Sequence, residues 1–116
     1  IYAASLVVAK ATVQAIQNRL PDLVTLVAMG VEGDVRSDED EQCALYMRNL
    51  LEGRKPDHDS VRNLILAGAE SQKFGDLARP YFHTEDKTMA LQIDTIPFAL
   101  AVSREYGLLV ARREPV

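Results

Sequence analysis

Five carboxylates crowd one short stretch of this chain: Glu32, Asp34, Asp38, Glu39 and Asp40, interleaved with Gly30 and Gly33. Glycine lets a backbone take positive φ and come close to a ligand. Carboxylate oxygens suit Mg²⁺, a hard cation that often bridges to a substrate phosphate. Such an ion neutralises charge on a phosphoryl group and orients a nucleophile. A second force puts acids in the same place. The helix macrodipole favours them in a first turn by about 0.3–1 kcal/mol each. Asp38 and Glu41 read as solvated dipole partners, whereas Glu39 and Asp40 stay open to either role.

Asp94 is the next candidate. It lies in the apolar connector Ile93-Asp94-Thr95-Ile96-Pro97, and an acid in such company is either paired or functional, because an unpaired buried charge is costly. Turn capping, a salt bridge and a site role all remain open for it. Glu85-Asp86 reads first as a cap. Ser5, entering a helix, reads most simply as an N-cap, with contact to a substrate oxygen as the other reading. His58, between two aspartates at a helix start, reads as a surface residue, and His83, after Tyr81-Phe82, as packed. Cys43, on an apolar stripe, reads as a small buried thiol rather than a nucleophile. The chain has neither a Gly-x-Ser-x-Gly elbow nor a Gly-x4-Gly-Lys phosphate loop.

These residues need elements to position them. Leu6, Ala9, Val13, Ile16 and Leu20 recur every three to four positions, predicting an amphipathic helix over 4–20, ended by Pro21-Asp22. Leu23 to Met29 is almost wholly apolar and β-prone, as an inner parallel strand is. Gly30 to Asp34 is then a loop at that strand's carboxyl end, where open α/β sheets bind ligands. Ser37 and Asp40 mark the next helix start. Cys43, Ala44, Met47, Leu50 and Leu51 are its apolar stripe, and Gly53 its stop. Asp57-His58-Asp59 opens a third helix with Val61, Leu64, Ile65 and Gly68 inward, and 74–78 is a shorter helical segment. Thr84 to Leu91 is a fourth helix. Phe98 to Val102 and Leu108 to Ala111 read as a β-hairpin turning at Gly107.

The 116 residues, 47% apolar and 26% charged, suit one domain with one core, 1–116, and not a disordered chain. The net charge of −4 and two short basic clusters, Arg54-Lys55 and Arg112-Arg113, argue against nucleic acid. No apolar run approaches the roughly 20 residues that span a membrane. One cysteine allows no intrachain disulfide and suits a reducing, cytoplasmic setting. The elements predict an α/β fold, a layered α/β/α arrangement with a mixed sheet and a carboxy-terminal β-hairpin. Few strands stand beside four helices, and Ile1-Tyr2-Ala3-Ala4 reads as neither a signal peptide nor a natural start. The expectation is a carboxy-terminal part of a larger protein, incomplete without a preceding segment or a partner chain.

Ser5-Leu6-Val7-Val8-Ala9-Lys10-Ala11, then Val24 through Gly33, then Asp38-Glu39-Asp40 to Cys43-Ala44 resembles the second half of the 2-phosphosulfolactate phosphatases. Glu85-Asp86 through Asp94 and Ile96-Pro97 is similar to that family's close. The resemblance implies a Mg²⁺-dependent hydrolase that releases phosphate from 2-phosphosulfolactate, on the route to coenzyme M, or from another small phosphorylated acid. On that footing Glu39 and Asp40 contribute to the Mg²⁺ site. Ser5, Gly30, Glu32 and Gly33 approach the substrate. Asp94, with Glu39, takes a catalytic part, completing the site or orienting water. The expected partners are the phosphorylated acid and either further copies of the chain or its own amino-terminal half. The alternative is a non-catalytic oligomerisation or regulatory domain.

Overall fold

The computed structural model describes residues 1–30, 38–67 and 88–116. Its elements run β1 (Tyr2–Ala3), a 3₁₀ turn (Leu6–Val8), α1 (Ala9–Asn18), α2 (Asp38–Leu51), α3 (His58–Leu66), β2 (Phe98–Glu105) and β3 (Leu108–Pro115). Helices stand beside a sheet, as the α/β reading requires. The described sheet has three strands in the order β1-β2-β3, antiparallel throughout.

The hairpin falls where the sequence puts it and runs further, from Phe98 opposite Pro115 to Glu105 opposite Leu108. Tyr106 (φ 52) and Gly107 (φ 79) form its two-residue turn. Positive φ at both positions matches the right-handed twist of the flanking strands. β1 is not anticipated by the helical periodicity. It adds Tyr2 opposite Ala101 on the free side of β2.

The helix predicted over 4–20 is shorter, because a 3₁₀ turn replaces its first residues and α1 ends at Asn18. Leu6, Ala9 and Val13 enter the core and Ile16 packs against it. Leu20 does not; it is 87% exposed with φ 48. The ring of Pro21 disfavours a helical residue before it, so the stripe loses its last member.

α2 and α3 keep most of their predicted faces. Cys43, Met47, Val61 and Ile65 are core residues, with Leu50 and Leu51 packed against them. Leu64 is a correction, being 58% exposed. Behind α2, Gly53 (φ 83) donates to Leu50 O at 3.1 Å and Arg54 N donates to Asn49 O at 2.8 Å. This is the paired closure of a glycine-ended helix. Asp57 caps α3 by accepting from Ser60 N at 3.0 Å. The expected segment 74–78, Gly68 and the start of the fourth helix lie outside the described residues, although 88–90 are helical.

The clearest departure is residues 23–29. They pair with no described strand. Val24 and Leu26 are half-buried, while Leu23 (81%), Val27 (69%) and Met29 (69%) are exposed. Such alternation is the period of a β-strand, yet these residues make no backbone hydrogen bond to another described residue. Among the described residues the expected parallel strand therefore has no ladder, since a ladder needs a neighbour to accept it. Among the described residues no helix is long and apolar enough to cross a membrane.

Candidate functional site

Two polar clusters lie along α2. The first begins in its first turn. Glu39 and Asp40 line a cleft of about 880 Å³ shared with Ser5, Met29 and Cys43. Segment 23–29 forms one wall, with Ala3 to Leu6 on another side. Gly30, at φ 74, donates its N–H to Asp40 Oδ2 at 2.9 Å. Ser5, Gly30, Glu39 and Asp40 are thus drawn into one neighbourhood. Glu32 and Gly33 lie outside the described residues. Ser5 is exposed and makes no side-chain capping bond, so its hydroxyl is not used as an N-cap.

The cap comes from elsewhere. Asp94 Oδ1 accepts from Lys10 N at 2.9 Å, across 84 residues of chain. Lys10 is the second residue of α1, where an orphan N–H needs an acceptor and the dipole favours a negative charge. The connector is also stitched down by backbone bonds, Asp94 N to Leu6 O and Ile96 N to Val7 O, each 3.0 Å. Asp94 sits at φ 61, a left-handed conformation that aspartate tolerates better than most residues.

Asp94 also anchors the second cluster. Its Oδ2 accepts from the Tyr46 hydroxyl and lies 3.3 Å from His58 Nε2. Tyr46 Oη and His58 Nε2 are 2.9 Å apart, and the two rings meet edge to face with centroids 5.7 Å apart. Exposure rises outward through the group. Tyr46 is 3% exposed; the side chains of Asp94 and His58 are 11% and 40% exposed. Both carboxylate oxygens of Asp94 are therefore engaged by the protein itself.

The electrostatics follow the packing. Burial pushes the Cys43 thiol up to about 12, and Asp40, Glu39 and Asp94 push in the same direction. A thiol held protonated is no nucleophile, which fits its reading as a buried structural cysteine. Burial, with the hydrogen bond to Asp94, raises the Tyr46 hydroxyl far above its usual range. Tyr46 therefore keeps its proton and donates it to Asp94.

Among the described residues no three acidic, histidine or cysteine side chains converge as a metal-binding group. Two adjacent carboxylates facing a cleft do match the donor type of Mg²⁺, which commonly keeps waters and takes only one or two protein carboxylates beside a phosphate.

Sequence reasoning did not raise Tyr46, and it read His58 as a surface residue without its contacts to Tyr46 and Asp94. A signal existed for Tyr46: it falls three residues after Cys43 on the buried side of α2, and a buried tyrosine hydroxyl usually finds a partner. For His58 there was none, because its partners come from α2 and from the distant connector.

Comparison of the chain with protein-family models, with curated proteins and with solved structures finds no match.

Proposed function

We propose that this chain is the carboxy-terminal part of a Mg²⁺-dependent phosphatase, similar to the 2-phosphosulfolactate phosphatases, that releases phosphate from a small phosphorylated acid. One observation carries the reading: Ser5, distant in sequence from the adjacent Glu39 and Asp40, lines one cleft with them, and Gly30 is tied to Asp40 at its edge. Glu39 and Asp40 would hold the cation in that cleft. Bound there, Mg²⁺ would supply charge neutralisation to the phosphoryl group. The Ser5 hydroxyl and the backbone from Gly30 to Gly33, with Glu32, would position the substrate. Asp94 serves the site by holding its neighbours in place.

The same reading extends to architecture and setting. Segment 23–29, strand-like in its alternation and paired with no described strand, would enter a layered α/β/α fold with a mixed sheet once strands of an amino-terminal half or another copy lie beside it. A cytoplasmic setting suits the lone thiol. The test is phosphate release from a panel of small phosphorylated acids, 2-phosphosulfolactate included, by the intact protein with and without Mg²⁺. Metal-dependent release that disappears in Glu39→Gln and Asp40→Asn supports the assignment; unaltered rates in both variants sink it.

A second reading has its own support. Exposed Leu23, Val27 and Met29, on a segment that pairs with no described strand, suit an oligomerisation domain without catalysis. A folded intact protein that self-associates and releases no phosphate would favour it.

A further inference from the structure

The cleft holds more apolar surface than a phosphorylated three-carbon acid can use. Its volume of about 880 Å³ is that of a site for a drug-sized ligand. Buried Leu6 and Met47 line it. Leu23, Val27 and Met29 line it too, and they are 81%, 69% and 69% exposed. Among the described residues nothing covers that wall, and a ligand with an apolar body would take it out of water.

The cleft is also long. Ser5, Leu6, Thr12, Ile16 and Arg19 all line it, so it follows α1 from before its first turn to its last. Ten helical residues rise by about 15 Å. Its charged side chains are few: Glu39 and Asp40 are its acids, and Arg19 is the one lysine, arginine or histidine among its described lining residues. Segment 23–29 separates the two charges. Gly30, bonded to Asp40, follows its carboxyl end, while Arg19 stands just before Leu20 and Pro21, which lead into it.

Arg19 is held ready for an anion. Its Nε donates to Tyr2 Oη at 2.7 Å, and its Nη2 donates to Glu114 Oε1 at 2.6 Å. The guanidinium lies 5.8 Å from the Tyr2 ring centroid, and the Tyr2 hydroxyl donates to Glu114 Oε2 at 2.7 Å. A guanidinium has five N–H donors. Those on Nη1 and the second on Nη2 meet no partner among the described residues, and the side chain is 64% exposed. A planar fork fixed in this way takes a carboxylate or sulfonate with little ordering left to lose.

We propose that the ligand of this cleft is a phosphorylated acid with an apolar body, carrying phosphate at one end and a carboxylate or sulfonate at the other, and that Arg19 selects the second anion. This rests on the phosphatase reading for the phosphate end and narrows its substrate class. The phosphate lies at Glu39 and Asp40, the apolar body along Leu23 to Met29, and the terminal acid on Arg19. Tyr2 and Glu114 are the positioning residues of Arg19.

The test gives the intact protein, with Mg²⁺, two series of phosphomonoesters: phosphates of ω-hydroxy alkanoic acids from three to twelve carbons, and alkyl phosphates of the same lengths. KM for the acids should fall by about fourfold per added methylene until the chain fills the cleft. Long acids should be favoured over matched alkyl phosphates by about 10-fold or more. Arg19→Gln should abolish that preference through KM rather than kcat, and Arg19→Lys should restore only part of it. Because Arg19 also ties α1 to the sheet, a second measurement uses the wild-type protein without Mg²⁺. Decanoate, which carries no phosphate, should shift the Arg19 Nε resonance in nitrogen-15 NMR. A KM that does not fall with chain length, or an Arg19 resonance unmoved by millimolar decanoate, overturns the proposal and leaves the phosphatase standing. A shifted resonance with no phosphate release from either series overturns the phosphatase reading and supports Arg19 as the anchor of an apolar acid.

Discussion

Residues 93–97 and residues 23–29 are both short apolar stretches with no regular secondary structure, yet among the described residues the backbone of one is tied to its surroundings and that of the other is not. In the first, Asp94 N and Ile96 N bond to Leu6 and Val7, the Asp94 carboxylate caps α1 and holds Tyr46 and His58, and Ile93 is buried in the core. The second gives Val24 and Leu26 partly to the interior and turns Leu23, Val27 and Met29 to solvent, its backbone bonded to no other described residue. The difference lies in where each finds its partners. A single acidic side chain can satisfy a helix end and a tyrosine from one position. A strand-like backbone needs a whole neighbouring strand.

The contrast breaks most readily at Asp94. Asp94→Ala leaves the Lys10 N–H and the Tyr46 hydroxyl without their acceptor and keeps a left-handed backbone that alanine dislikes. The loss should be about 3 kcal/mol, read from the urea midpoint; a change under about 0.5 kcal/mol would place the connector on a par with segment 23–29.

The same closed region should make itself felt in alkali. The folded Cys43 thiol titrates at about 12 against an ordinary 9.0, so the folded chain keeps a proton that the unfolded chain releases. The stabilisation is complete below pH 9 and is lost as pH rises toward 12, with the unfolding equilibrium constant climbing by up to about tenfold per pH unit. Tyr46, raised from 10.0, acts in the same direction above that pH. Cys43→Ala should flatten the first part of this slope, as followed by circular dichroism.

A smaller effect sharpens the comparison between the hairpin and segment 23–29. Gly107→Val forces a β-branched residue into φ 79, costing about 1–2 kcal/mol and lowering the thermal midpoint. The smallest change belongs to the open segment itself. Val27→Lys should alter stability by less than about 0.5 kcal/mol, and amides 23–29 should exchange far faster than those of α1 or β2. Strong protection there would mean that the segment has a partner.

Much of this was legible in the residues. Apolar spacing gave α1, α2 and α3 their core faces, Gly53 and Asp57 gave a stop and a start, and Gly107 gave the hairpin. Ser5, Glu39 and Asp40 were named as site residues and line one cleft. Less legible were departures set by distant or neighbouring demands: Leu20 turned out by Pro21, Leu64 left on the surface, β1 recruited by the free side of β2. The capping of α1 shows why. A local reading assigns it to Ser5, the nearest hydroxyl, but the group that does it is a carboxylate from the far end of the chain.

By itself the sequence determined what is local: which residues repeat at helical spacing, where glycine permits a turn, where acids and a helix start coincide. These depend on neighbours a few residues apart, whose geometry the backbone fixes. Only the tertiary structure decided that Asp94 would cap α1, that Tyr46 and His58 would meet on it, and that 23–29 would pair with no other described residue. Those outcomes depend on which distant groups come within hydrogen-bond reach, and no periodicity encodes that distance.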